Sequence, residues 1–225
     1  MNLTLTRTLA PYRLRTETAG TAVRPLLTGD LIAKVLIVTL FSSLAVRLAR
    51  DAAATGHVTG LLLLVSEALV AVLTLIRRPA SSVDKSTLAR VLTVVSVFGP
   101  PLVQPASSVA VAPDVLTVLI SGVGLTFVVV GKLSLGRSFG LAPANRGVVS
   151  AGLYRFIRHP IYMGYLLTHV GFVVANPLDW NIAILVVADV ALLFRALREE
   201  RTLAADPAYR DYMDRVRWRL VPGVF

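Results

Sequence analysis

Residues 115–133 read VLTVLISGVGLTFVVVGKL, with Lys132 the one charged side chain near the far end. A helix that crosses the hydrocarbon of a bilayer needs about 20 predominantly apolar residues, and this stretch meets that requirement. Working outward, apolar runs of the same kind occupy Leu31–Ala49, Val58–Ile76 and Leu88–Val103, the last interrupted by Gly99-Pro100-Pro101. On the other side lie Ile161–Ala175, which is short, and Trp180–Leu197. Asn176-Pro177-Leu178-Asp179 separates these two and predicts a tight helical hairpin. The expected fold is therefore all-α: a polytopic membrane bundle of about six spans, ending in a helical hairpin and a cytoplasmic tail. Composition agrees. Of 225 residues, 55% are hydrophobic and 16% charged, with mean hydropathy +0.71, against about 45–50% and about 25% in a soluble domain.

The formal net charge is +10, but the cations sit in short stretches between apolar runs. That pattern reads as membrane topology and anionic headgroups. No basic stripe is interleaved with aromatics, so no nucleic-acid partner is expected. Arg7, Arg13, Arg15 and Arg24 precede the first run, Arg77, Arg78, Lys85 and Arg90 follow the second, and Arg137, Arg146, Arg155 and Arg158 follow the fourth. The tail carries Arg198, Arg201, Arg210, Arg215, Arg217 and Arg219, whereas 104–114 and the hairpin turn carry no Lys or Arg. This alternation predicts a multi-pass protein with both termini cytoplasmic; the first loop, with Arg47 and Arg50, marks it least well. The expected organisation is a cytoplasmic segment over 1–30, transmembrane helices over 31–134 and a catalytic region over 135–225. Cysteine is absent, which excludes disulfides, thiolate metal sites and cysteine nucleophiles.

Chemistry is concentrated in GLYRFIRHPIYMG, residues 152–164. Pro160 suits the first turn of a helix, and the residue before it, His159, is pushed to an extended conformation. Free N–H groups at that helix end predict an anion site, with Arg155, Arg158 and His159 just outside it and Tyr162 within the first turns. Gly164 admits the close approach of another backbone or of a flat ligand. A second segment, RALREERTL at 195–203, carries the sixth run out of the membrane. Arg195 and Glu199 share a helical face at i, i+4 spacing, and Glu200 lies beside Glu199. The hairpin predicts that these carboxylates return to the side of the bilayer on which His159 lies. Two carboxylates beside an arginine cluster suit a cationic, zwitterionic cofactor.

Arg158-His159-Pro160-x-Tyr162-x-Gly164, then Asn176-Pro177, then Glu199-Glu200-x-x-Leu203, with Tyr209-x-x-Tyr212 and Pro222, resembles the isoprenylcysteine carboxyl methyltransferase family and its phospholipid and thiol methyltransferase relatives. The resemblance covers roughly Leu135 to Phe225, while residues 1–134 match only as generic spans. One departure is Ala204-Ala205-Asp206-Pro207-Ala208, which replaces a longer stretch before the first tyrosine. The resemblance implies S-adenosylmethionine as cofactor, bound by Gly152, Tyr154, Arg158, His159, Pro160, Tyr162, Gly164 and Glu200. It places Arg195, Arg198 and Glu199 toward the substrate as catalytic residues. The implied acceptor is lipophilic or small, a carboxylate foremost, an amine or thiol otherwise, with membrane lipids as further partners. The implied cofactor site is cytoplasmic.

The three histidines, His57, His159 and His169, are scattered, so no metal site is expected. Glu67, Asp189 and His169 are ionisable groups within apolar runs; Glu67 and Asp189 are expected to pair with Lys34 or Lys132. Gly122, Gly124 and Gly131 read as close helix packing. Two alternatives remain at this point. One is a membrane oxidoreductase resembling sterol reductases, which use a reduced nicotinamide and are usually much longer. The other is a non-catalytic membrane protein that binds a ligand.

Overall fold

The computed structural model describes residues 23–56, 59–76, 82–105, 110–140 and 144–225. Arg7, Arg13 and Arg15 of the expected N-terminal segment lie outside the described residues, as do His57 and the side chains of Glu67 and Lys34. The chain divides into two units, Met1–Val35 and Leu36–Phe225. Of the first, the structure describes the opening of α1 (Val23–Thr55), which begins before the expected Leu31. The second unit holds the rest of α1, then α2 (Thr59–Ile76), α3 (Thr87–Phe98), α4 (Asp114–Leu135), α5 (Pro160–Ala175), α6 (Asp179–Leu203) and α7 (Pro207–Arg215). The only strands among the described residues are two-residue segments, β1 (Ser82–Val83) and β2 (Ala144–Asn145), which pair antiparallel with Ser82 opposite Asn145. The protein is all-α, and each expected apolar run falls on a helix.

Two of these helices have the length and apolarity to cross a membrane. Asp114–Ser138 has a mean hydropathy of 2.1 and Asp179–Leu203 of 1.9. Their outward side chains are apolar: Val115, Leu119, Val123 and Leu133 on α4, and Val186, Val187, Val190 and Phe194 on α6, are exposed. Apolar surface of this extent suits lipid better than water. The 16 residues of α5 reach only about 24 Å at 1.5 Å per residue, short of a hydrocarbon core of about 30 Å. The third run is shorter than expected, since α3 stops at Phe98 and Pro100–Leu102 forms a 3-10 turn. The two prolines cannot supply the amide hydrogens that a continuing helix needs.

The end of α6 returns to the start of α5, where Glu200 meets His159, but the two arms take other helices as their main packing partners. Although a three-residue turn joins α5 to α6, α5 packs most closely on α4 and α6 on α3. Glycines at heptad spacing make the first contact, Gly124 and Gly131 on α4 against Gly164 and Gly171 on α5. A Cβ on Gly164 would lie 2.6 Å from the Gly124 carbonyl oxygen, and one on Gly131 would lie 2.7 Å from Ile161 Cγ1. Gly122, expected to share this role, has open space where its Cβ would be. On the other side, a Cβ on Gly99 would meet that of Ala188 at 2.9 Å. Asn181, fully buried at the start of α6, clamps the chain beyond α3: its Nδ2 donates to the Gln104 and Asn176 carbonyls and its Oδ1 accepts from Gln104 N. Leu44, Leu48, Leu63, Val103, Phe172 and Leu185 form a core shared by α1, α2, α5, α6 and the segment after α3.

Candidate functional site

Because α5 and α6 turn to different partners, a cavity lies between them. Its empty space, mouth included, is about 1090 Å³. The end of α3 (Ser96, Val97, Pro100), the segment after α4 (Ser138, Phe139, Gly140) and residues 146–149 complete its walls. Polar groups enter at three levels. Arg158, His159 and Glu199 stand at one end with Tyr154 and Tyr209, Tyr162 and Arg195 lie between, and His169 and Asp189 lie at the other end.

The two adjacent glutamates do different things. Successive residues of a helix point about 100° apart, so only one of the pair can face the cavity. Glu199 does, and it accepts a hydrogen bond of 2.6 Å from the Tyr162 hydroxyl. Glu200 turns to the bundle end. Its Oε1 lies 3.1 Å from His159 Nε2 and 3.2 Å from Arg158 Nε, and its Oε2 accepts from Arg219 Nε at 2.9 Å. All but Arg219 are buried. Glu200 thus neutralises the cations that flank the mouth and sets the His159 ring, which stacks on Tyr162 with centroids 5.2 Å apart and planes 10° from parallel.

The two residues just ahead of α5 are bound through their backbone to the tail of the chain. Arg158 N donates to the Trp218 carbonyl at 2.9 Å and His159 N to the Arg219 carbonyl at 2.8 Å, while Tyr162 and Met163 N–H both turn back to the His159 carbonyl. Pro160 has no N–H and is packed near Gly131. His159 is not helical (φ −127, ψ 59), as the proline after it requires.

Of the residues singled out from sequence, Tyr154, Arg158, His159, Tyr162, Arg195 and Glu199 line the cavity. Gly152, Pro160, Gly164, Arg198 and Glu200 do not. Gly152 opens a 3-10 turn with φ +61, and a Cβ there would meet Ser134 Oγ at 2.6 Å. Arg198 ties the end of α6 to the start of α3, donating to the Ser86 hydroxyl at 2.7 Å and lying 3.3 Å from Asp84. Ser86 is itself the N-cap of α3, accepting from Ala89 N. The backbone N–H of Ser86 holds the Asp84 carboxyl below its ordinary range, with Arg198 adding to the effect. Arg195 reaches across to α3, donating to Ser96 Oγ at 3.1 Å, and its guanidinium lies 5.2 Å from the Tyr162 ring centre.

Several participants were not in the expected set. Tyr209 and Tyr212 are buried with Tyr154 and Val216. Tyr212 donates to the Tyr154 carbonyl at 2.8 Å. Burial pushes the phenols of Tyr154, Tyr209 and Tyr212 up, so they remain neutral donors. Arg219 closes the Glu200 cluster from a tail in which nothing marks it out from Arg215 or Arg217. Asp189 pairs with His169 at 2.6 Å and not with a lysine as expected. Lys132 places its ammonium 4.9 Å from the Tyr165 ring centre. Such pairings across helices have no fixed sequence spacing to read.

Residues 115–205 match the isoprenylcysteine carboxyl methyltransferase (ICMT) family. The match opens in α4, ahead of Leu135 where the motif resemblance began, so the matched region includes the helix on which α5 is seated. It ends before Tyr209, Tyr212 and Arg219, which complete the site from outside it. The ICMT match points to methyltransferase activity and, with the two long apolar helices, to a membrane protein. No curated protein matches the chain.

Proposed function

We propose that the protein is an integral membrane methyltransferase that moves a methyl group from S-adenosylmethionine to a lipophilic or small acceptor. The observation that carries this reading is the cavity, walled mostly by residues of the matched region, where two carboxylates (Asp189 and Glu199), three guanidinium groups (Arg146, Arg158 and Arg195) and several aromatic faces meet in a common space. The residues fit the cofactor's chemistry. Glu199 complements its cationic groups. Arg158, which lines the cavity, complements its carboxylate. Tyr154, Tyr162 and Tyr209 offer faces to the adenine and to the sulfonium. Bound there, S-adenosylmethionine supplies a methyl group already activated by the positive sulfur. What remains for the chain is to hold the acceptor in line and to exclude water. Arg195 would orient a carboxylate acceptor bidentately, whereas an amine or thiol would need a group to take its proton. In this reading six helices span the membrane with both termini cytoplasmic. The cofactor enters from the cytoplasm and the acceptor from the bilayer, whose lipids are the other partners.

Calorimetric titration of the detergent-purified protein with S-adenosylmethionine tests this. Saturable binding is expected, weakened about tenfold or more in Glu199→Gln, because a hydrogen bond to a charged group contributes about 1.5–3 kcal/mol. A folded protein that binds no S-adenosylmethionine overturns the proposal. Binding of a reduced nicotinamide instead would point to a membrane oxidoreductase.

A further inference from the structure

The end of the cavity away from Glu199 has a chemistry of its own. His169 of α5 and Asp189 of α6 line it, and Nδ1 of the histidine lies 2.6 Å from Oδ1 of the aspartate. The His169 side chain is 3% exposed and that of Asp189 is 20% exposed. Tyr165 stacks on the imidazole with centroids 6.1 Å apart. The walls beside the pair are apolar: Val97, Pro100, Ala188 and Leu192. Asp189 precedes Glu199 by ten residues of α6, about 15 Å along the axis at 1.5 Å per residue. Arg195 stands between them. The cavity thus offers one polar end for the cofactor and, beyond Arg195, an apolar chamber that closes on a histidine–carboxylate pair.

A carboxylate engaging one ring nitrogen fixes the tautomer and aim of an imidazole, which makes the other nitrogen the site of proton exchange. Ionisable pairs within an apolar span are costly, and packing supplies no reason for this one to face a cavity. We infer that the His169–Asp189 end is the methyl-acceptor subsite, and that it takes an acceptor whose nucleophilic atom carries a proton, namely an amine, thiol or phenol on an apolar body. His169 receives that proton at Nε2, and Asp189 is the positioning residue behind it. The inference rests on the methyltransferase reading and narrows its acceptor. The lone pair of the acceptor nitrogen, sulfur or oxygen forms the bond to the methyl carbon. The bond from methyl to sulfur breaks, and its electrons stay on the sulfur, which leaves as a neutral thioether. The acceptor proton passes to His169, and the resulting imidazolium faces the Asp189 carboxylate. A carboxylate acceptor would have no proton to give and would bring a second negative charge up to Asp189.

The test uses the full chain in detergent with S-adenosylmethionine and four acceptors of equal alkyl length: a thiol, an amine, a phenol and a carboxylic acid. Methylation of one or more of the first three, and not of the acid, is expected by mass spectrometry. His169→Gln should lower kcat/KM about 100-fold or more, the usual weight of a positioned proton acceptor, and leave cofactor binding intact. Across a series of ring-substituted phenols the loss should shrink as the acceptor becomes more acidic, because an ionised phenol needs no base. Asp189→Asn should show the same trend with a smaller loss. This slope is a ratio within each variant, so partial misfolding, which lowers all rates together, does not mimic it. Preferred methylation of the acid overturns the inference. So does cofactor binding without turnover of any proton-bearing acceptor, or a His169→Gln loss that is uniform across the phenols. Failure of the wild-type protein to bind S-adenosylmethionine, read before any acceptor is added, is the separate failure of the methyltransferase reading and removes the inference with it.

Discussion

Helix α5 has two contrasting sides. Toward α4 it is closed: glycines at heptad spacing bring the two backbones together with no room for a methyl group. Toward α6 it is open, and Tyr162, Tyr165 and His169 line a cavity. The contrast teaches that the tight side makes the open side possible. A helix too short to span the bilayer unaided, flanked by a cavity, must take its fixed position from elsewhere, and the seam with α4 provides it. Close van der Waals contact between small residues is also what drives helix association in lipid, where apolar side chains gain little from meeting each other. Substitutions on the two sides should therefore fail in different ways, by unfolding on one and by lost binding on the other.

The largest effect is expected where the two sides meet, at Glu200. Removing its carboxylate by Glu200→Ala leaves Arg158 buried with no counter-charge, takes away the partner of His159 Nε2 and frees Arg219. Breaking a buried ion pair from one side costs about 3–5 kcal/mol. Thermal unfolding in detergent should drop sharply, and limited proteolysis should cut the tail beyond Arg215. Glu199→Gln, one residue away, should leave the unfolding temperature nearly unchanged. If the two variants unfold alike, the division of labour between the glutamates is wrong.

Next comes the seam itself. Gly164→Ala places a Cβ 2.6 Å from the Gly124 carbonyl oxygen and 2.7 Å from Val128 N. Backbone must move to accept it, and overpacking of this kind costs about 1–3 kcal/mol. Gly122→Ala adds the same methyl group to the same pair of helices, but with nothing within 4 Å of it, so stability should hold or rise slightly. Equal losses in the two variants, measured by thermal unfolding, would show that glycine flexibility matters here and not the close approach.

Much of this was legible in the sequence. The six apolar runs fall on helices because apolar length is a local property. Pro160 fixes the start of α5, and the Gly99-Pro100-Pro101 break ends α3, for reasons carried by the prolines themselves. Tyr162, Arg195 and Glu199 could be placed on helical faces from spacing alone. The partner choice of the hairpin arms was not legible. Whether α5 packs on α6 or on α4 depends on surface fit between helices distant in sequence, and Gly124, Gly131, Gly164 and Gly171 fit while Gly122 does not. Nor was the anchoring of Arg158 and His159 on the tail, since the carbonyls of Trp218 and Arg219 that hold them come from a segment with no regular period. Asp189 stood out only as a costly charge; the spacing of His169 from Tyr162 and Tyr165 put it on their face, which lines the cavity, but its pairing with Asp189 required the two helices to be in place.

The smallest effect tests how the covering segments beside the open side are held. Asn145, at the β2 end of the two-residue pairing, donates to Asp206 Oδ2 at 2.9 Å, and the Asp206 Oδ1 accepts from Ala208 N at the start of α7. The Asn145 hydrogen bond comes first, and with the Ala208 N–H it holds the Asp206 carboxyl below its ordinary range. The sign follows from linkage. A carboxyl whose pKa is lower in the folded chain than in the unfolded one contributes stability above the unfolded value, about 3.9 for aspartate. That contribution fades as the pH falls through the folded value. The group is exposed, so the effect is small and confined to the acid limb. Asp206→Asn should flatten that limb of the plot of unfolding temperature against pH and leave the neutral plateau slightly lowered by loss of the negative charge at the start of α7. An unchanged acid limb would mean that Asn145 and Asp206 do not hold the segment after α4 to α7, and that the covered side of the cavity is secured by the buried tyrosines alone.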